Sequence, residues 1–223
     1  MIKAILTPSI TVIAIFSLLG LSSLPAVAAN ALKILQANTA TEWDRQLDDK
    51  GIQIWIASAQ DSNFKKFKGN VQIEAPINEV VSLIQDTEQL PDWYYNTVTA
   101  KRLKTPEPNQ LLKYTVTKTP WPVTNRDSVV MGTKTISENG TVTITLEGRP
   151  DEYPLQENLI RVQKLTGYWI ITPITPITPS RTQVEFMLAA EPGGEIPSWL
   201  ANSMVIDMPF YTLRNLRKKL ESN

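Results

Sequence analysis

The chain has 223 residues, with 22 basic against 22 acidic side chains and neither histidine nor cysteine. That composition excludes Ser-His-Asp and Cys-His catalysis, imidazole or thiolate metal sites and any disulfide framework. A balanced charge leaves no electrostatic footprint for nucleic acid, and the length suits a single domain with a sheet-plus-helix core.

Lys3 precedes an uncharged apolar stretch and then Pro25-Ala26-Val27-Ala28, the order of a basic start, an apolar centre and a small-x-small cleavage site. Residues 1–28 therefore read as a signal peptide, with a retained membrane anchor as the alternative, since the next charge is Lys33. Export would place the protein in the periplasm of a Gram-negative-type cell or have it secreted. Lys3 is the only charge that cleavage removes, so the remainder carries 21 basic and 22 acidic residues. Residues 29–41 read as an N-terminal tether and 42–223 as the folded domain.

Residues 42–49 are expected to form one or two helical turns, because Trp43 and Leu47 lie one turn apart. After Gly51, Ile52, Ile54 and Ile56 alternate with Gln53 and Trp55, the period-two pattern of a strand with one buried face. A second strand is expected over 64–73. Its Lys65, Lys66 and Lys68 read as protection of a peripheral edge, or as a small patch for anionic head groups. Pro76 opens a helix on which Ile77, Val80, Val81 and Ile84 recur at helical spacing. The run Trp93-Tyr94-Tyr95 either clamps that helix to the sheet or lines the mouth of a pocket.

Strands are then expected over 98–103, 111–118, 127–136, 141–147, 159–171 and 182–190, with Glu138-Asn139-Gly140 as a hairpin turn whose Asn-Gly supplies a left-handed pair. Hairpin links imply an antiparallel sheet. On the strand from Leu111, the residues Leu112, Tyr114 and Val116 share the face expected to point inward, while Lys113, Thr115 and Thr117 share the other. Three copies of Ile-Thr-Pro over 171–179 read as an extended, unpaired connection, because repeated proline cannot donate to a central ladder.

The loop Glu191-Pro192-Gly193-Gly194-Glu195-Ile196-Pro197 opens an expected long helix that ends at Lys218-Lys219-Leu220. At 100° per residue Ile196, Trp199, Leu200, Ser203, Ile206, Phe210, Tyr211, Leu213 and Leu220 fall on one broad apolar face, with Asp207 inside it. Two readings of Asp207 stand open. It faces a ligand, or it caps a helix restarted before Pro209, with Met208 and Pro209 in the first turn.

Three segments carry a family resemblance. Lys118-Thr119-Pro120-Trp121-Pro122-Val123-Thr124-Asn125-Arg126-Asp127-Ser128-Val129 resembles the Arg-Asp-x-Val element of the START domain family, the steroidogenic-acute-regulatory-protein-related lipid-transfer domains. The loop 191–197 with Trp199-Leu200-Ala201-Asn202 resembles that family's approach to its final helix, and Leu216-Arg217-Lys218-Lys219-Leu220 the close of it. The resemblance implies an α+β helix-grip (START-like) fold: a curved antiparallel β-sheet wrapped around a long C-terminal α-helix, enclosing a tunnel for one lipid or sterol-sized molecule. It also implies a carrier or sensor rather than an enzyme. Where sterol-binding members carry a further cavity arginine, simple counting from Arg-Asp places Gly132. Arg126 and Asp127 read as a structural ion pair that fixes a turn.

The expected function is that of an exported lipid-binding protein that holds a lipid or other hydrophobic molecule for transfer or sensing. It would act as a monomer in transient contact with membranes, with no cofactor and no metal. The ligand-wall candidates are Tyr114, Val116, Met131, Met187, Trp199, Ser203 and Phe210, with Asp207 and Tyr114 as the polar contacts. The alternative is a helix-grip enzyme of cyclase or hydrolase type acting on a hydrophobic or aromatic substrate, with Asp207 as its acid or base.

Overall fold

The computed structural model describes residues 41–59, 62, 64–174 and 180–222. The expected signal peptide, all of the expected tether but residue 41, and part of the Ile-Thr-Pro repeat lie outside the described residues. In chain order the strands are β1 (Asp44–Asp49), β2 (Ile52–Ser58), β3 (Lys65–Ile73), β4 (Thr97–Lys104), β5 (Gln110–Thr117), β6 (Arg126–Ile136), β7 (Val142–Gly148), β8 (Ile160–Arg161), β9 (Lys164–Ile174) and β10 (Arg181–Glu191). The helices are α1 (Ile77–Gln85), α2 (Leu90–Trp93), α3 (Ser198–Val205) and α4 (Asp207–Glu221). The strands make one curved sheet in the order β1-β2-β3-β10-β9-β7-β6-β5-β4, antiparallel throughout, with β8 pairing parallel to β6. The fold is α+β and of helix-grip type.

Several local expectations are corrected. Residues 44–49 are a strand, not a helix. Lys50 and Gly51 take φ of 51° and 72°, a left-handed pair that closes a two-residue hairpin with Asp49 opposite Ile52. A single apolar pair one turn apart is too weak a helical signal to compete with pairing along β2. The lysine-bearing strand β3 is internal, between β2 and β10, so edge protection is not its role. Lys68 instead lies against aromatic faces, its Nζ 4.8 Å from the Trp43 ring centre and 5.5 Å from that of Trp55.

The β6–β7 turn uses one left-handed residue, Gly140 at φ 79°, rather than an Asn-Gly pair. Asn139 contributes through its side chain, whose Oδ1 accepts from Ser137 Oγ and Thr141 N. The first Ile-Thr-Pro copy is paired after all, with Pro173 of β9 opposite Thr182 of β10. The β7 ladder has already ended at Val142 with Ile171, so the proline sits where only one side of β9 has a neighbour. The expected strand 159–171 is split, because residues 160–161 turn aside to β6.

The terminal helix is two helices. Ile206, at φ −117° and ψ −59°, breaks the chain between α3 and α4, and Asp207 is the first residue of the restarted helix with Met208 and Pro209 in its first turn. Pro209 has no N–H for the carbonyl one turn back, which is why the break falls there. The cap position itself is Ile206, not Asp207, and makes no side-chain capping bond. Helix α4 lies on β2 and β3 with Leu213 and Leu216 fully buried. It approaches closely because β3 offers Gly69: a Cβ there would stand 2.7 Å from Leu213 Cδ1 and 2.9 Å from Ile54 Cδ1. Ile52, Ile54, Phe67, Val71, Phe186 and Leu213 belong to the main core, and α1 adds Val80, Val81 and Ile84. No helix among the described residues is long and apolar enough to cross a membrane.

Candidate functional site

Where α4 fills one half of the sheet, the other half stays hollow. A cavity of about 190 Å³ lies between β5, β6, β7, β9 and β10 on one side and α3 and the start of α4 on the other. The helices contribute Leu200, Ser203, Met204 and Met208. The far strands contribute Leu146, Leu165, Trp169, Leu188 and Ala190. One end is aromatic: Trp169 stacks on Phe186 at 3.9 Å between ring centres, Trp93 meets Trp169 edge-on, and Tyr94 and Tyr95 face the space. Both sequence readings of the aromatic run thus hold, Trp93 by packing and the two tyrosines by lining.

Strand β5 presents Lys113, Thr115 and Thr117 to the cavity, so the expected orientation of this strand is inverted. Leu112, Tyr114 and Val116 instead join Val129 and Met131 of β6 in a second, separate core, covered by Leu103, Tyr153 and Leu159. Tyr114 packs on Tyr153 at 4.7 Å, and burial, with a smaller contribution from the Asp127 charge, pushes its phenol up to about 12. Period two separates the two faces of a strand but does not say which one looks inward. Here the segment 149–161 covers the apolar face, and the polar face is left to the hollow.

The segment is fastened by a buried ion pair. Arg161 Nε and Nη2 donate to the two carboxylate oxygens of Asp127, each at 2.9 Å, and its remaining N–H groups donate to the carbonyls of Pro150, Tyr153 and Pro154. Asp127 and Arg126 therefore do not pair with each other. As strand neighbours they point to opposite faces. Arg126 turns into the cavity wall, donating to the carbonyls of Thr124 and Gly193, while its Nε is buried without a partner among the described residues. The loop opening α3 is thus held against β6 by a cation that makes no ion pair among the described residues.

Across the β5–β6 ladder Lys113 stands opposite Val130, Thr115 opposite Ser128 and Thr117 opposite Arg126, and all six line the cavity. The hydroxyls of Thr115, Thr117 and Ser128 and the Lys113 ammonium make no hydrogen bond among the described residues. Lys113 retains some accessible surface because it borders the cavity, but protein surrounds it, and burial pushes its amine down to about 8. Burial also raises the Tyr94 phenol and lowers the Arg126 guanidinium.

Of the residues singled out by sequence, Ser203 lies on the cavity wall. Tyr114, Val116 and Met131 lie in the second core, and Met187, although buried, faces away from the Val184–Phe186–Leu188 side that meets the main core. Phe210 is buried in the main core, Trp199 is 53% exposed, and Asp207 does not border the cavity. Lys113, Thr115, Ser128 and Arg126 were missed as wall residues. The available signal was a lysine alternating with apolar residues on the strand directly before, and paired with, the one that the Arg-Asp element opens. Among the described residues no group of three or more carboxylates is placed to hold a metal ion.

A helix held by a curved sheet around an internal cavity with an apolar wall defines a protein that binds hydrophobic ligands. Residues 25–223 match the START domain family, and the chain belongs to it. The uncharacterized protein PA1579 of Pseudomonas aeruginosa is 33% identical over 202 residues, covering 91% of this chain and 98% of its own. The crystal structure of the STAR-related lipid transfer protein (fragment 25–204) of Xanthomonas axonopodis is 31% identical, with a TM-score of 0.72, and covers 80% of this chain and 98% of that one. Human StAR-related lipid transfer protein 5 shares the fold, with a TM-score of 0.77 at 16% identity over 87% of this chain and 94% of its own.

Proposed function

We propose that this protein is an exported, monomeric carrier that holds one lipid or other hydrophobic molecule in the β5–β10 cavity and delivers or senses it at a membrane. The observation that carries the reading is the hollow itself: aliphatic, aromatic and methionine side chains enclose space that a packed domain would fill. Enclosing an apolar molecule there removes its surface from water at about 25 cal/mol per Å². One chain supplies every wall, so no second copy is needed. A carrier is favoured over the cyclase or hydrolase alternative because Asp207, the carboxylate proposed for acid–base work, stands off the cavity wall.

Two exposed tryptophans support transient membrane contact. Trp121 is 92% exposed beside the wall residue Pro120, and Trp199 is 53% exposed beside the wall residue Leu200. Indole rings partition to the membrane–water interface, so both place groups suited to that surface next in the chain to cavity-wall residues. Export rests on the basic, apolar and Ala-Val-Ala order of residues 1–28.

Native purification, solvent extraction and mass spectrometry test the carrier reading. The expected result is a hydrophobic small molecule at close to one per chain, or uptake of one by the emptied protein. A protein that neither retains nor takes up any apolar molecule would overturn it. Intact mass of the exported protein is expected to begin at Ala29, and a chain recovered only inside the cell at full length would refute export.

A further inference from the structure

The charges around the hollow are of one sign. Among the described residues the wall carries Lys113, Lys118 and Arg126 and no carboxylate. These three cations are not equivalent. Lys118 is exposed at the rim and solvated, and Arg126 is engaged with two backbone carbonyls. Lys113 alone is inside with its donors unused.

An ammonium without a counter-ion in such a site is costly to the empty protein, and a small apolar residue would fill the position more stably. Its neighbours are arranged to complete an anion site rather than to neutralise it. Thr115, two residues along the same face and thus about 7 Å away along the strand, stands opposite Ser128 of β6, and both hydroxyls are free. An anionic group with two or more oxygens placed between them accepts from the Lys113 ammonium and from the hydroxyls together, while its chain extends along Leu146, Leu188 and Met204.

We propose that the cavity selects amphiphiles whose polar end is an anion, a carboxylate or a phosphate monoester, and that Lys113 is the residue that seats it. The proposal rests on the carrier reading and adds the ligand class to it. It also gives the polar lining of β5 a role that a carrier of neutral lipids would not need.

The test uses the purified chain loaded with Nile red, a neutral fluorescent reporter, displaced by dodecanoic acid, dodecyl phosphate, methyl dodecanoate and dodecanol. One or both anions are expected to displace the dye at concentrations about 10-fold or more below the ester and the alcohol, the scale of a hydrogen bond to a charged group. That preference is expected to collapse in Lys113→Met, with ester binding kept, and to survive in Lys113→Arg. Thermal melting of each variant verifies folding. Preference for the carboxylate alone supports a fatty-acid type of ligand, and preference that includes the phosphate supports a phosphorylated one. Equal displacement by all four compounds, or an anion preference that persists in Lys113→Met, overturns the anion site and leaves the carrier intact. Failure of Nile red and all four compounds to bind overturns both.

Discussion

Lys113 and Asp127 stand for two opposite ways of burying a charge. Lys113 has no partner among the described residues, and its amine sits at about 8 against the usual 10.5 because burial disfavours the ammonium. The unfolded chain therefore binds more protons between those two values, and stability attributable to this group rises with pH across about 8 to 10.5. Its penalty is full below pH 8 and gone above 10.5. Lys113→Met is expected to raise stability at pH 7 by on the order of 2 kcal/mol, with the two proteins converging near pH 10.5 in urea titrations. The other titratable groups on the wall, Tyr94, Tyr95, Lys118 and Arg126, include no carboxylate that would offset this. Asp127, by contrast, is fully matched by Arg161. Asp127→Ala strands that guanidinium and is expected to cost about 3–5 kcal/mol, with much of it restored in the Asp127→Ala/Arg161→Leu double variant, as measured by the same titration.

At the scale of elements, what matters is how closely α4 lies on β3 and how α3 is set apart from α4 to line the cavity. Gly69 permits the first, and the break at Ile206 with Pro209 beyond it permits the second. Gly69→Ala is expected to destabilise by about 1–3 kcal/mol, because Leu213 and Ile54 are both fully buried and have no room to withdraw. Chemical denaturation checks the value, and Nile red binding is expected to persist, since Gly69 lies outside the cavity wall. Most of these elements were legible in the sequence, down to the helix opened at Pro76 and the strand of alternating isoleucines. The failures share a cause. The hairpin at Lys50-Gly51 and the internal position of β3 depend on which strands pair, and a single strand's pattern does not carry its neighbours.

For the whole molecule, the cavity and the two exposed tryptophans divide the carrier's work between holding and delivery. Trp121→Ala is expected to slow ligand transfer between vesicles several-fold while leaving affinity in solution unchanged, because the side chain is exposed and outside the wall. Stopped-flow transfer between labelled vesicles, set beside Nile red binding, separates the two effects. An equal loss in both would instead place Trp121 in the ligand site. Ligand is also expected to raise the melting temperature, with a rise that keeps growing with the logarithm of free ligand above its dissociation constant.

The sequence by itself determined the family, the antiparallel sheet, the C-terminal helical segment and the absence of imidazole or thiolate chemistry. These are properties of composition, periodicity and short motifs, and they are written locally. Only the tertiary structure decided the inside. Lys113, Thr115 and Thr117 and the apolar set Leu112, Tyr114 and Val116 are equally good strand faces. The choice between them was made by the segment 149–161, which Arg161 and Asp127 fasten over the apolar side. Asp207 was settled in the same way, as the first residue of a restarted helix beside the cavity rather than in it. A face becomes interior only through what covers the opposite one, and that covering comes from residues distant in the chain.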